Sequence, residues 1–312
     1  MVENKEKNFI SAVVYVNNNQ DTLMNLLNKI NNFLEENFNK YEIICVNDAS
    51  RDNSVKIIKK FTKEVKNQKV SLINMSNYHG LELSMGAGVD LAIGDFVYEF
   101  DNIYDDFDIK VIKEVYDKCL QGYDIVSASS KSCKTSSSNL FYKIFNKSAG
   151  LEYKLQTETF RILSRRAINR VNSINNHISY RKAVYANCGL KMLNIKYNSI
   201  NNVKRIISKD YHSNRKTTAV NSIILFTNVG YKFSLLMSVL TLLSTLFVFI
   251  YTIVIFFSKN PVQGWTTTML FLSFGFFGIF ALMTIAIKYL DIIINLLFKN
   301  KTYLIESIEK LN

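Results

Sequence analysis

The sequence predicts an α/β protein in which a doubly wound, mainly parallel sheet is followed by two transmembrane helices. Short apolar strands alternate with amphipathic helices along the first 210 residues, which is the order typical of a parallel sheet. Polar and acidic turns follow the strands, and ligands bind at the carboxyl ends of such strands. Two uncharged apolar stretches, residues 233–257 and 265–287, come later, and each is long enough to cross a bilayer as a helix.

The first strand of the predicted sheet covers residues 9–16, a continuous apolar run typical of a strand buried on both faces. The second strand, residues 41–46, ends in a turn of acidic and hydroxyl side chains at residues 47–54. A third strand at residues 70–75 and a helix at residues 82–93 continue the pattern. This repetition of strand, polar turn and helix predicts a nucleotide-binding sheet.

The central feature of the sequence is a short strand at residues 96–100 that follows a helix stop at Gly94 and ends in Asp101. Asp105 and Asp106 follow closely. Clustered carboxylates repel one another unless a cation or solvent separates them, so a divalent metal with a phosphate ligand is one interpretation. A solvated acidic loop is the other.

The net charge is +12, from 38 basic and 26 acidic residues. Basic residues flank the two apolar stretches, whereas only Lys259 lies in the loop between them. We therefore expect a membrane partner rather than nucleic acid, with both the amino-terminal domain and the tail cytoplasmic. The first residues lack an apolar core, so no cleavable signal is expected. Two spans that pack poorly alone also favour a homo-oligomer.

These observations divide the chain into five segments. The predicted segments are a cytoplasmic domain at residues 1–210, a juxtamembrane interfacial segment at 211–232, transmembrane helices at 233–257 and 265–287, and a cytoplasmic amphipathic tail at 288–312.

Several motifs together resemble one enzyme family. They are the turn VNDASRDNS (residues 46–54), the spaced run from Gly80 to Asp95, the carboxylate Asp101, the segment FRILSRR (residues 160–166) and the tail at residues 289–306. In this order, before two spans, they resemble the family 2 glycosyltransferases. The resemblance is closest to the membrane-bound branch that includes dolichyl-phosphate mannose synthase and bacterial polyprenyl-phosphate glucosyltransferases.

The resemblance implies a GT-A fold that moves a sugar from a nucleotide-diphosphate sugar to a polyprenyl phosphate, or a related lipid-linked acceptor, for bacterial cell-envelope glycan synthesis. It implies Mg²⁺ or Mn²⁺ on the diphosphate, which would neutralise the leaving group. The implied nucleotide-sugar-binding residues are Val14, Tyr15, Asn19, Asp48, Gly80 and Asp101. The candidate metal ligands are Asp101, Asp105 and Asp106, and the candidate catalytic residues are Asp101, Glu158 and Arg161.

The sequence departs from the family pattern at a position where the family binds a metal ion. Ile103 occupies the second carboxylate position of the D-x-D motif and cannot bind a metal. Three hypotheses follow: Asp101 still holds a metal with Asp105 or Asp106, basic residues such as Arg161 and Lys209 stabilise the diphosphate instead, or the fold is a non-catalytic membrane adaptor. For Glu158 the alternative is a surface loop, and for Arg161 it is an ion pair with a nearby acid.

Overall fold

The computed structural model describes residues 5–65, 69–102, 106–131, 136–148, 153–174, 180–200, 227, 229–257, 264–297 and 303–311. The chain divides into two compact units. The first contains residues 1–222 and 300–312, and the second contains residues 223–299. The predicted Asp105 and Lys209, and residues 211–226 of the predicted juxtamembrane segment, lie outside the described residues.

The described residues form eight strands and nine helices. The strands are β1 (Glu6–Val16), β2 (Phe38–Asn47), β3 (Lys69–Met75), β4 (Phe96–Phe100), β5 (Ile125–Ser130), β6 (Phe160–Ser164), β7 (Met192–Tyr197) and β8 (Ile305–Lys310). The helices are α1 (Leu23–Asn37), α2 (Ser54–Glu64), α3 (Leu81–Leu91), α4 (Ile109–Leu120), α5 (Ser136–Ser148), α6 (Arg165–Ile174), α7 (Arg181–Ala186), α8 (Val229–Phe257) and α9 (Trp265–Leu297).

All eight strands belong to one sheet with the order β7-β5-β6-β4-β1-β2-β3-β8. The four strands β4, β1, β2 and β3 run parallel, which confirms the predicted doubly wound arrangement in that half of the sheet. The whole sheet is mixed, because β6 runs antiparallel to β4 and β5, and β8 runs antiparallel to β3. The α/β prediction is therefore confirmed, with two antiparallel strands in addition to the parallel set.

The two faces of the central strands carry different side chains, apolar on one face and partly charged on the other. Ile10, Ala12 and Val14 of β1 point into the main apolar core, together with the aromatic residues Tyr98 and Phe100 of β4. Since successive side chains of a strand alternate between faces, the intervening residues of β1 and β4 point to the opposite face. That opposite face is covered by α3, and it carries the charged side chains described below.

Two glycines allow α3 and the turn after it to approach β1 closely. A Cβ on Gly88 would lie 2.4 Å from Cγ1 of Val13 and 2.7 Å from Cγ2 of Val46. A Cβ on Gly94 would lie 2.6 Å from the backbone nitrogen of Ser11. Gly88 and Gly94 therefore serve close packing of helix on sheet.

The carboxyl-terminal tail joins the sheet. We predicted an amphipathic tail for residues 288–312, but α9 continues to Leu297 and β8 then pairs with β3. At the start of β8 the backbone N–H of Leu304 donates to Nε2 of His79 at 3.0 Å. The hydroxyl of Tyr303 donates to Oδ2 of Asp90 at 2.7 Å. The tail therefore covers the β3 edge that the parallel strands alone would leave open.

The second unit consists of α8 and α9. By length and composition each helix is capable of crossing a membrane, over Val239–Phe257 and Trp265–Leu290. The helices pack against each other, and the rings of Tyr251 and Trp265 meet edge to face with centroids 6.1 Å apart. Helix α8 begins at Val229, so residues 229–232 of the predicted interfacial segment belong to this helix.

Candidate functional site

The first part of the site is the group of loops that follow β1, β2 and β3, and Asp48 lies at its centre. Asp48 is fully buried. Its Oδ2 accepts hydrogen bonds from the Tyr15 hydroxyl and the Gly80 N–H, both at 2.9 Å, and its Oδ1 accepts from the His79 N–H at 2.8 Å. Gly80 has a φ of 81°, a conformation that favours glycine. Asp48 therefore joins the end of β1 to the loop that precedes α3.

Further hydrogen bonds hold the first two loops together. The Asn17 side-chain amide donates to the backbone oxygen of Asp48 at 2.6 Å, and the backbone N–H of Asn19 donates to Oγ of Ser54 at 3.0 Å. The structure thus brings Tyr15, Asn19, Asp48 and Gly80 into one loop cluster, and their contact with a nucleotide sugar stays a prediction. Val14 differs, because its side chain is fully buried in the main core.

The second part of the site surrounds Asp101, which lies at the carboxyl end of β4 as predicted. Its side chain is 8% exposed. Oδ2 accepts a hydrogen bond from Nη2 of Arg161 on β6, and Oδ1 accepts from Nη2 of Arg181 on α7 at 2.6 Å. Both arginines are 1% exposed. Each oxygen of the Asp101 carboxylate therefore has a guanidinium partner.

Glu99 forms a second bridge between the same two arginines. It lies two residues before Asp101, on the same face of β4, and is fully buried. Its Oε2 is 2.5 Å from Nη1 of Arg161 and its Oε1 is 2.7 Å from Nη1 of Arg181. The hydroxyl of Tyr185 also donates to Oε1 at 2.7 Å. Four oxygens from two carboxylates thus meet two guanidinium groups in the interior.

Glu82, Glu158 and Lys182 complete this group. Nε of Arg161 donates to Oε2 of Glu158 at 3.0 Å, and Nε of Arg181 donates to Oε2 of Glu82, on α3, at 3.0 Å. Nζ of Lys182 lies 4.0 Å from Oε2 of Glu158. We call these residues the ionic cluster: Glu82, Glu99, Asp101, Glu158, Arg161, Arg181 and Lys182.

Within the cluster, Asp101, Arg161 and Arg181 keep their charges despite their burial. Burial alone would raise the pKa of Asp101, but the charges of Arg161 and Arg181 outweigh burial and hold this pKa below its ordinary value. Burial alone would lower the pKa of each arginine, but Asp101 and Glu99 raise it well above the usual range. Asp101 is therefore ionised at neutral pH.

The structure shows where Glu158 and Arg161 lie and which groups they contact. Glu158 is not a surface loop residue, because it is 7% exposed. All three guanidinium nitrogens of Arg161 donate to carboxylates. Arg161 therefore holds Asp101, Glu99 and Glu158 in position, with a carboxylate partner for each of its three guanidinium nitrogens.

The described residues do not fit the expected metal centre. Among them there is no group of three or more histidine, cysteine, aspartate or glutamate side chains arranged to hold a metal ion. Both Asp101 oxygens bind arginines, and Asp106 accepts hydrogen bonds from the hydroxyls of Tyr197 at 2.9 Å and Ser199 at 3.4 Å. The third predicted ligand, Asp105, lies outside the described residues.

Four members of the ionic cluster were missed by the sequence analysis: Glu82, Glu99, Arg181 and Lys182. Glu82 belongs to the spaced run from Gly80 to Asp95, and Glu99 carried a local signal, because a charged residue inside the apolar strand FVYEF requires a buried partner. Arg181 and Lys182 lie 80 residues or more after Asp101 in a short helix, and their spacing from Asp101 carries no periodic pattern.

Comparison with known proteins gives a consistent set of similarities. Residues 11–187, more than half of the chain, match the glycosyl transferase family 2 domain. The chain is 29% identical over 188 residues to an uncharacterized glycosyltransferase of Synechocystis sp., covering 58% of each protein. It is 27% identical over 194 residues to a prophage bactoprenol glucosyl transferase homolog of Escherichia coli, covering 60% of this chain and 62% of that protein.

An undecaprenyl-phosphate 4-deoxy-4-formamido-L-arabinose transferase of Shewanella sediminis is 28% identical over 157 residues, covering 49% of this chain and 47% of that protein. Each match spans less than two thirds of the relative's length. Among solved structures, a mannosyltransferase of Pyrobaculum calidifontis in complex with GDP-Man and Mn²⁺ is 12% identical, with a TM-score of 0.49, covering 69% of this chain and 63% of that one.

Proposed function

Because this chain belongs to glycosyl transferase family 2, we propose that it transfers a sugar from a nucleotide-diphosphate sugar to a lipid-linked phosphate. The acceptor in this proposal is a polyprenyl phosphate or a related lipid carrier at the cytoplasmic face of a membrane, and the product serves cell-envelope glycan synthesis.

The observation that carries the proposal is the placement of Asp48 and Asp101. They follow β2 and β4, the two strands that flank β1 in the parallel part of the sheet. Strands lie about 4.8 Å apart, so the two carboxylates end strands that are about 10 Å apart. Tyr15, at the end of β1, lies between them. A nucleoside diphosphate has the length to extend from one loop to the other, and this edge is where α/β sheets bind ligands.

Two further observations support a lipid acceptor. One relative is named as a bactoprenol glucosyl transferase homolog and another as an undecaprenyl-phosphate 4-deoxy-4-formamido-L-arabinose transferase. In addition, α8 and α9 have the length and apolar composition of membrane spans. Because β8 follows α9 in the chain and belongs to the same sheet as β1, the domain and the tail lie on the same side of any membrane that both helices cross.

The proposed transfer needs little acid–base chemistry. A phosphate oxygen of the acceptor attacks the anomeric carbon, the bond from that carbon to the donor diphosphate breaks, and its electron pair leaves with the nucleoside diphosphate. The acceptor phosphate is ionised near neutral pH, so no strong base is required. The demand on the protein is to position both substrates and to stabilise the charge on the leaving group.

In this proposal Asp48 orders the loops that border the nucleoside. Asp101, oriented by Arg161 and Arg181, accepts hydrogen bonds from hydroxyl groups of the donor. Glu158 orients the acceptor side of the site. A divalent cation, when bound, would supply charge neutralisation at the diphosphate, and titrations with Mn²⁺ and with EDTA decide whether this chain uses one.

The second candidate is a catalytically inactive membrane adaptor with the same fold. One structural observation favours it: both oxygens of Asp101 accept hydrogen bonds from arginines. The sequence adds a second, because Ile103 occupies the second carboxylate position of the D-x-D motif. An adaptor of this kind binds nucleotide sugar weakly or not at all, which separates it from the transferase.

The test is a turnover assay with the detergent-solubilised full chain, polyprenyl phosphate and a panel of nucleotide sugars, in Mg²⁺, Mn²⁺ or EDTA. Release of nucleoside diphosphate and formation of glycolipid are both measured. We expect turnover with one donor, loss of turnover in Asp101→Asn, and wild-type turnover in the control Asp117→Asn, a half-exposed residue on α4. Folded wild-type protein that turns over no donor and binds no nucleotide contradicts the transferase and supports the adaptor.

A further inference from the structure

Lys182 differs from the other two cations of the ionic cluster. It is the second residue of α7, directly after Arg181. Its side chain is 11% exposed, whereas those of Arg161 and Arg181 are 1% exposed. The ammonium group is therefore mostly withdrawn from solvent, but it is the cation of the cluster with the most open surface.

The hydrogen-bonding capacity of the three cations is used to different degrees. The arginine nitrogens are directed at the carboxylates of Glu82, Glu99, Asp101 and Glu158. The ammonium of Lys182 is 4.0 Å from Oε2 of Glu158, beyond hydrogen-bond distance, and that oxygen already accepts from Arg161. Within the described part of the chain this ammonium makes no hydrogen bond, although it has three donors.

The surroundings of Lys182 keep its charge. Burial would lower its pKa, but Tyr142 and Glu158 raise it, and the pKa lies above its ordinary value although the charge of Arg161 opposes this. The residues that affect the ammonium electrostatically include both Asp101 and Glu158. A positive charge with unused donors thus lies 4.0 Å from Glu158 and interacts electrostatically with Asp101, two of the predicted catalytic carboxylates.

We propose that Lys182 binds the diphosphate of the donor nucleotide sugar and stabilises the departing nucleoside diphosphate. This inference rests on the proposed function and names a residue for it. As the bond to the anomeric carbon breaks, the developing charge on the phosphate oxygen is met by N–H groups of the ammonium, which keeps its proton throughout. Lysine is suited to this as a compact charge with three rotatable donors.

Lys182 places a positive charge near the predicted catalytic carboxylates, where the described carboxylates form no metal centre. Asp101 already has two guanidinium partners, and the described residues form no metal centre. A cation fixed to the protein at this place removes the need for one carried by the substrate. The inference therefore requires that nucleoside diphosphate binding persists in EDTA.

The experiment is isothermal titration calorimetry of the full chain in detergent with UDP, GDP, UMP and GMP, each in EDTA and in Mn²⁺. The variants are Lys182→Gln, Lys182→Arg and a matched control, Lys191→Gln, whose lysine is exposed. We expect Lys182→Gln to weaken binding of the preferred diphosphate about tenfold to hundredfold, the range for a charge-assisted hydrogen bond. Binding of the corresponding monophosphate should change little, Lys182→Arg should restore most of the affinity, and the control should match wild type.

Three outcomes overturn the inference. Equal diphosphate affinity in wild type and Lys182→Gln removes the role of the lysine, and loss of wild-type binding in EDTA assigns that role to a metal. Wild-type protein that binds no nucleotide removes the proposed function and the inference together, so the two failures are distinguishable.

A second measurement applies if Lys182→Gln does not fold. Wild-type protein is treated with an amine-reactive reagent with and without the preferred diphosphate, and modification of each lysine is measured by mass spectrometry. Bound diphosphate should protect Lys182 and leave Lys191 reactive. Equal modification of Lys182 in both samples overturns the inference.

Discussion

Arg161 and Glu99 occupy directly paired positions on the antiparallel strands β6 and β4, with Nη1 and Oε2 2.5 Å apart. Both side chains are at most 1% exposed. An unpaired charge in such a place is costly, so the burial of each side chain depends on the ion pair with the other. The two residues of this cross-strand pair also contact the rest of the cluster, because Arg161 binds Asp101 and Glu158, and Glu99 binds Arg181.

Removing Arg161 should destabilise the protein strongly. The change Arg161→Met leaves Glu99, Asp101 and Glu158 without one of their partners, and breaking a buried ion pair from one side costs about 3–5 kcal/mol. Thermal and urea unfolding of the full chain measure this loss. The control is Arg170→Met, an exposed arginine on α6, which should unfold as wild type does. Equal stability of the two variants would show that the cluster contributes nothing to the fold.

Asp101 and Asp124 should make stability depend on acid. Asp124 precedes β5, and its Oδ1 accepts a hydrogen bond from Nε of Arg166 at 2.7 Å. Burial raises the pKa of each carboxyl, but Arg161 and Arg181 at Asp101, and Arg166 at Asp124, outweigh burial and hold both pKa values below the ordinary value of about 3.9. The folded state therefore holds these protons less tightly than the unfolded chain. The stabilisation is complete above about pH 5 and is lost as the pH falls through the folded-state pKa values.

The measurement is the unfolding temperature between pH 6 and pH 3, with Asp101→Asn for comparison. Wild type should lose stability steadily below about pH 4, because this is where the unfolded chain takes up protons. The variant should show a shallower slope. Identical slopes would place the acid sensitivity elsewhere in the molecule.

Gly94→Ala should be more damaging than Gly88→Ala. At Gly94 the new methyl group meets the backbone of β1, 2.6 Å from the nitrogen of Ser11, whereas at Gly88 it meets the side chains of Val13 and Val46. Overpacking of this kind costs about 1–3 kcal/mol, and backbone yields less than a side chain.

A second substitution in a neighbouring side chain should restore stability to Gly88→Ala but not to Gly94→Ala. Adding Val13→Ala to Gly88→Ala should recover part of the lost unfolding temperature, because it removes the nearest atom. No side-chain truncation removes the backbone nitrogen beside Gly94. Recovery of Gly94→Ala by trimming a neighbouring side chain would contradict the close backbone approach.

The hydrogen bond from Leu304 to His79 should link the tail to nucleotide binding. His79 and Gly80 donate their backbone N–H groups to Asp48, and the His79 ring accepts from Leu304. Leu304→Pro removes that donor, whereas Leu304→Ala keeps it. We expect weaker binding of nucleoside diphosphate and faster proteolysis of the tail for the proline variant, with the alanine variant close to wild type. Equal affinities in the two variants would show that the tail does not order this loop.

Sequence reasoning reached the elements whose signals are local. The apolar runs of β1, β2 and β3 and the polar turns after them are confirmed by the structure, because burial on both faces of a parallel sheet requires such runs. The position of Asp101 at the end of β4 was predictable in the same way. The two long helices were predictable from length and the absence of charge.

The arrangement of charges around Asp101 was decided only by the tertiary structure. The partners of Asp101 come from β6 and α7, 60 and 80 residues later in the chain, and β8 pairs with β3 across more than 230 residues. Hydrophobic periodicity reports which face of an element is buried, but it does not report which distant element covers that face. Strand order brings Arg161 opposite Glu99, and α7 adds Arg181 and Lys182. The sequence by itself determined that carboxylates would end these strands, whereas the tertiary structure determined that arginines hold Asp101, because charge pairing in a buried site depends on through-space neighbours.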